Sequence, residues 1–252
     1  MSTYYSLQGR VMLADRLLTG RPGALAWAGD APDLTLKFSQ DKDEISENYT
    51  GNRGTASSMR KALKATFELS LRYFDAKTLA LALAGTVIDV PAGTVTAEKL
   101  PPALAGDTFM LDHRDLSTLA LTDSTDAQPK PLVLNQDYVI DSPEASLVKI
   151  LKVDGFKQPF LGNYAYGAST NVAAFTIPSI EKYGVFDGIN TIDNSRMRAQ
   201  MYRMQFDPVS DIGLIQDSHG LLKLSGSLLL DVVNASKAEY GGYWRAELPK
   251  VA

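Results

Sequence analysis

Two alternating runs, Leu34-Thr35-Leu36-Lys37-Phe38-Ser39 and Leu63-Lys64-Ala65-Thr66-Phe67-Glu68-Leu69-Ser70-Leu71-Arg72-Tyr73, decide the fold class of this chain. Successive side chains of a strand point to opposite faces, so apolar residues at every other position mark a strand with one buried face. In the second run Leu63, Ala65, Phe67, Leu69, Leu71 and Tyr73 share one phase, while Lys64, Thr66, Glu68, Ser70 and Arg72 share the other. Between the runs, Asp41 to Ala62 has few large apolar side chains and is broken by Gly51 and Gly54. So long a connection in a compact domain is usually a binding loop or disordered. Its acids come first (Asp41, Asp43, Glu44, Glu47) and its bases last (Arg53, Arg60, Lys61), with Tyr49 between them. This order suits a docking arm that meets the same surface of another copy head to tail. The alternative is a solvated hairpin tip.

Outward from this pair, Gly9 to Asp15 and Leu25 to Ala28 read as short strands around a Gly20-Arg21-Pro22-Gly23 turn. Asp75 is placed to cap a helix over Ala76 to Ala84, with Leu79 and Leu83 on one face and Gly85 as a left-handed stop, although the Ala-Leu alternation there also fits a buried strand. Prolines 91, 101, 102, 129 and 131 punctuate Val87 to Pro131, where Thr108 to Leu111 and Thr118 to Leu121 are short apolar segments; this reads as a hairpin-bearing insertion. Tyr138 to Asp141 and Leu147 to Leu151 form a predicted hairpin. Further strands are predicted at Asn163 to Ala168, Ala173 to Ile177, Lys182 to Phe186, Arg196 to Phe206, Leu222 to Val232 and Tyr243 to Leu248. Arg196 to Phe206 lacks a consistently polar face, which suggests a strand half in the core and half in an interface. The sum is one mainly β domain, a sandwich or partial barrel with one short packed helix and a long extended loop.

Composition bounds the function. The 252 residues are 45% hydrophobic with a formal net charge of -4, which argues against a protein that grips phosphate backbones. There are no cysteines, so disulfides and thiolate metal sites are excluded. Arg10, Asp15 and Arg16 stand where a signal peptide needs its apolar centre, and no run reaches membrane-span length, so neither secretion by that route nor membrane insertion is expected. The two histidines, His113 and His219, sit in polar turn-like settings. His113-Arg114-Asp115-Leu116 copies the start of a kinase catalytic loop, but Ala120 stands where its metal-binding Asn belongs. Asp41-Lys42-Asp43 opens like a calcium loop and then fails, with Ser46 for the turn glycine and Asn52 for the closing carboxylate. No catalytic, cofactor or metal site is assigned. Arg196, Arg198 and Arg203 lack an aromatic stacking platform, and inter-subunit salt bridges are preferred for them over phosphate binding.

The order of segments resembles the tail tube proteins of long, non-contractile-tailed bacteriophages. The resemblance rests on Leu34 to Tyr73, on Phe74-Asp75-Ala76-Lys77-Thr78-Leu79 running to Gly85, on Asp137-Tyr138-Val139-Ile140-Asp141, on Asn163-Tyr164-Ala165-Tyr166, on Lys182 to Asn190, on Met201 to Pro208 and on Leu222 to Asp231. It covers about two thirds of the chain, with Val87 to Pro131 unmatched. It implies a structural, non-enzymatic virion protein, made in the host cytoplasm, whose copies form hexameric rings around a lumen. Rings would stack through Asp41 to Met59, with Asp41, Asp43, Glu44, Glu47, Tyr49, Arg53 and Arg60 in the contact. Partners would be further copies, other tail proteins at the tube ends, and DNA passing without specific binding. Lys37, Lys64, Thr66, Glu68, Ser70 and Arg72 would face the lumen. An acidic or neutral wall lets a duplex slide, and the three cations in that set leave the sign of the wall open. The rival readings are a monomeric β-sandwich that binds carbohydrate or a receptor, using Tyr4, Tyr5, Trp27, Tyr243 and Trp244, and a hydrolase with a spatial triad.

Overall fold

In a computed structural model, which describes residues 4–249, the chain is mainly β and divides into two compact units. One comprises the residues up to Val87 together with those from Val172 onward; the other is Ile88–Asn171. In chain order the strands are β1 (Leu7–Ala14), β2 (Ala26–Trp27), β3 (Asp33–Ser46), β4 (Thr55–Leu71), β5 (Thr86–Val90), β6 (Gly93–Lys99), β7 (Thr108–Met110) and β8 (Leu116–Thr122). There follow β9 (Tyr138–Ser142), β10 (Leu147–Ile150), β11 (Leu161–Tyr166), β12 (Ser169–Ala173), β13 (Ile180–Asn190), β14 (Arg196–Asp207), β15 (Leu222–Leu228) and β16 (Trp244–Glu247). Two helices, α1 (Ala76–Ala82) and α2 (Val232–Ala235), complete the set. Among the described residues none of the sheets closes into a barrel.

The first unit is built on an eight-stranded sheet in the order β2-β1-β13-β14-β15-β4-β3, with β16 on β14. Its core is the apolar phase of the two deciding runs: Ala65, Phe67, Leu69 and Leu71 are buried against Leu222, Leu224, Met204 and Phe206. Phe67 meets Phe206 edge-on at 4.9 Å between centroids, and Gly226 lies opposite both in the ladder. A Cβ at Gly226 would come within 2.0 Å of the Gln205 carbonyl, so only glycine lets these strands close here.

Helix α1 has the expected cap. Thr78 N–H donates to Asp75 Oδ1 at 2.7 Å and Asp75 N–H donates to Thr78 Oγ1 at 3.0 Å. The Thr78 backbone donor holds the Asp75 carboxyl below its ordinary range. The C-terminus differs from expectation: Ala84, not Gly85, has the positive φ (46°), and Gly85 N–H donates to Ala80 O at 2.8 Å. Gly85 is needed because a Cβ would come within 2.3 Å of Ala173 O. Leu81 and Ala82 reach the core, whereas Leu79 and Leu83 are half-buried. The strand expected over Ala173 to Ile177 stops at Ala173; Phe175 and Ile177 donate to the helix-end carbonyls of Leu83 and Ala84, which diverts the chain.

Strand β15 ends at Leu228 because Asp231 is a helix cap. Its wholly buried carboxylate accepts from Val233 N–H at 3.0 Å and Asn234 N–H at 3.3 Å, and takes the Arg16 guanidinium in both oxygens at 2.8 Å. Burial pushes the Asp231 carboxyl up, but Arg16 and the two backbone donors outweigh it and hold it low.

The second unit replaces the insertion expected over 87–131. It runs on to Asn171 because the hairpin β9–β10 (Tyr138↔Ile150) and strand β11 belong to its own core, with Leu121, Tyr138, Val148, Ile150, Phe160 and Tyr164 buried together. Two three-stranded sheets, β7-β10-β9 and β6-β11-β8, carry that core. Strands β5 and β6 were not anticipated, although Thr86-Val87-Ile88-Asp89-Val90 is a legible β-branched run. β5 and β12 pair as a two-stranded ribbon.

Candidate functional site

Asp41 to Ala62 is not an irregular loop. β3 and β4 continue their antiparallel pairing from Leu34↔Leu69 and Phe38↔Ala65 through Asp41↔Ala62 and Asp43↔Met59 to Ser46↔Thr55. Alternating apolar residues are needed to bury a face, not to make a ladder, so the strands persist where the pattern stops. Register shifts after Asp41 and after Ile45 set Lys61 and Ala56 out of the ladder, and such bulges increase local twist. Only the tip, Glu47 to Gly54, is free of strand.

The tip is built by Glu47. Its N–H donates to Gly54 O at 2.8 Å, and its carboxylate accepts from Tyr49 N–H at 3.0 Å, Thr50 N–H at 2.8 Å and the Thr50 hydroxyl. The Thr50 hydroxyl and N–H draw the Glu47 carboxyl down to about 2. Glu47 is thereby committed to its own turn. Tyr49, 86% exposed, stands on that turn with Arg53, whose φ is 52°.

Beyond Leu63 every residue of the ribbon except Glu47 is exposed, on both faces. One face presents Ile45 and Met59, 65% and 59% exposed, beside Asp43; the other presents Lys42, Arg60, Glu44 and Ser58. Acid and base meet within the ribbon: Lys61 Nζ lies 3.2 Å from Asp43 and Lys64 Nζ lies 2.8 Å from Asp41. Those charges close across the strands, and among the described residues Lys42, Arg53 and Arg60 are left without an ion pair.

Where the ribbon joins the sheet, the same phase becomes a polar face. Lys37, Lys64, Thr66, Glu68 and Arg72 are exposed and Ser70 half-buried, and the ladder sets Ser227 beside Thr66, Ser225 beside Glu68 and Lys223 beside Ser70. Each cation of the predicted set has an anion: Lys37 with Glu68 at 2.5 Å, Lys64 with Asp41, and Arg72 with Asp30 at 2.9 Å. Lys223 and Asp33, which flank Ser70 in the ladder, are exposed with no ion pair among the described residues and balance in charge, so the face is locally neutral. β3 forms one edge of the sheet with no strand on its outer side, and residues 55–62 of β4 lie beyond the reach of β15.

The three arginines behave differently from one another. Arg203 forks onto Glu181 at 2.9 and 3.0 Å, and Arg198 binds Glu247, so these two are paired inside the chain. Arg196 is exposed and has no ion pair among the described residues. Strand β14 lacks a polar face because both of its sides are covered by its own chain: Met201 and Met204 enter the main core, while Tyr202 packs on Tyr183 and donates to Tyr240 O at 2.6 Å. Burial pushes the Tyr183 and Tyr202 hydroxyls up to about 12.

His113 stacks flat on Tyr166 at 3.9 Å, and His219 lies exposed in the β14–β15 connection. Asp41 and Asp43 sit on one face of a strand, each with a lysine, which is no cation loop; no group able to hold a metal ion occurs among the described residues. No helix among them is long and apolar enough to cross a membrane. The aromatic candidates for a binding platform are divided. Trp27 meets Tyr73 edge-on, Trp244 stacks on Phe38, and Tyr4 and Tyr5 are exposed near the N-terminus.

A family model described as a protein of unknown function, UCP028589, matches residues 4–247. The chain belongs to this family. The match runs through both units and the whole ribbon, so the family's extent includes the exposed arm. No curated protein matches the sequence.

Proposed function

We propose that this chain is a self-assembling structural subunit whose copies form stacked hexameric rings around a channel, as the tail tube of a long-tailed bacteriophage through which DNA passes. The observation that carries the reading is the ribbon of residues 41–62. A two-stranded hairpin with both faces in water is marginal by itself, and this one also exposes Ile45, Tyr49 and Met59. A second copy that covers it explains both features. The open sheet adds support: β3 is a free edge, and edges left bare invite pairing with another chain unless they are closed into a ring. The neutral Ser/Thr-rich face of β3, β4 and β15 suits a wall along which DNA slides, since it offers no unpaired cation stripe to hold phosphates. In this reading the other tail proteins meet the two ends of the tube, and the assembled protein resides in the virion.

Negative-stain imaging and sedimentation over a range of protein concentrations test it. Rings and tubes that lengthen with concentration are expected. A lone globule at every concentration, with the ribbon's amides protected against its own body, overturns it.

A further inference from the structure

Resting on that reading, the fold also says where the arm of one copy lands. β4 runs from Thr55 at the arm to Leu71, and Leu71 pairs with Leu222, the first residue of β15. The β14–β15 connection, residues 208–221, therefore lies at the end of the sheet opposite to the arm. β14 and β15 are paired neighbours (Asp207↔Ser225), so a short turn would join them; a connection of this length is otherwise functional or disordered. This one is tied down. Val209 N–H donates to Ala82 O at 2.9 Å, and Val209 and Ile212 pack on the main core. Between these anchors and β15 it holds Leu214 and Ile215 out in water, 83% and 95% exposed. Beside them Tyr73, Phe74 and Leu221 line a hollow of about 350 Å³.

We infer that residues 208–221, with Tyr73 and Phe74, are the receptor for the arm of a second copy. The occupant is specified by charge and by shape. The arm keeps Lys42, Arg53 and Arg60 unpaired after its internal salt bridges, while Asp211 and Asp217 of the receptor are exposed without an ion pair among the described residues. The arm's other face brings Ile45 and Met59, which match the exposed Leu214 and Ile215 of this loop. Because arm and receptor sit at opposite ends of one sheet, copies that keep the same orientation meet head to tail, and the contact repeats as an open stack.

The absence of cysteine gives a clean test. Full-length chain carrying Met59→Cys is mixed with chain carrying Ile215→Cys, assembled and oxidised, with Lys223→Cys on the polar face as the control partner. A 59–215 disulfide dimer is expected and a 59–223 dimer is not. Tubes that form without the 59–215 product overturn the receptor while leaving the tube reading intact; failure of any assembly by the unsubstituted chain removes both. Ile215→Asp should raise the concentration needed for stacking about tenfold or more, as loss of a central apolar anchor does, with circular dichroism and the unfolding midpoint unchanged. Stacking at the original concentration sinks the assignment.

Discussion

The same two strands serve as core at one end and as a free ribbon at the other. From Leu34↔Leu69 to Phe38↔Ala65 the ladder has a buried face, with Leu69 and Leu71 wholly inaccessible; from Asp41↔Ala62 to Ser46↔Thr55 nothing covers it. Hydrogen bonding is continuous through both, so pairing alone does not set their stability. Apolar burial does, at about 25 cal/mol per Å² removed from water. The arm is thus a strand pair with hydrogen bonds but no buried face of its own.

If body and arm are energetically separate, damage to one should leave the other untouched. The largest expected effect is in the body: Arg16→Ala leaves the Asp231 carboxylate buried and uncompensated and should cost about 3 to 5 kcal/mol in urea unfolding. Hydrogen exchange in residues 41–62 should not change. Because the Asp231 carboxyl is held below its unfolded value, its contribution is complete above the ordinary carboxylate range and is lost as pH falls through the folded value. Acid unfolding of Arg16→Ala should therefore depend less steeply on pH than that of the unsubstituted chain.

Next in size, Leu69→Ala at the root should cost about 3 kcal/mol from lost burial and the cavity left behind. Met59→Ala, on the same strand, should stay within about 0.5 kcal/mol for the monomer. Equal costs would mean that the arm is packed on its own body. Glu47 sharpens the contrast between the ends. Its carboxyl is drawn down to about 2, so the turn it holds is ordered at neutral pH and loosens as pH falls from the ordinary carboxylate range towards that value. Faster amide exchange at Tyr49 and Thr50, with no loss of global stability from this group, is the expected signature. The smallest effect on the monomer is Lys42→Glu with Arg60→Glu, within about 0.5 kcal/mol because both side chains are exposed and have no ion pair among the described residues. The same double change should block tube formation seen by light scattering, and unimpaired tubes would remove the arm from the account.

Much of this was legible in the residues. The phase of Leu63 to Leu71 gave the buried face directly, Asp75 gave the helix start, and Tyr138 to Leu151 gave a hairpin. The arm was legible as a place and not as a structure: with no alternation, Asp41 to Ala62 carried no strand signal, since that signal reports burial and not pairing. The role of Glu47 was hidden because an acid that closes its own turn and one that faces a partner look alike in sequence. Arg198 and Arg203 were found as charged positions, but Glu247 and Glu181 are brought to them only by the sheet. The receptor loop was missed altogether, although Leu214-Ile215 between Gly213 and Gln216 is an apolar pair in polar surroundings.

Local chemistry, then, was enough to say that this is a β protein, that one strand pair anchors it, and that it carries no thiol chemistry. Periodicity and caps act over a few residues, and those properties do too. Tertiary structure alone decided that residues 88–171 form their own core, that the cations of the polar face are neutralised by Asp30, Asp41 and Glu68, and that arm and receptor loop stand at opposite ends of one sheet. Each depends on which strands become neighbours, and that is settled by the packing of side chains far apart in the chain.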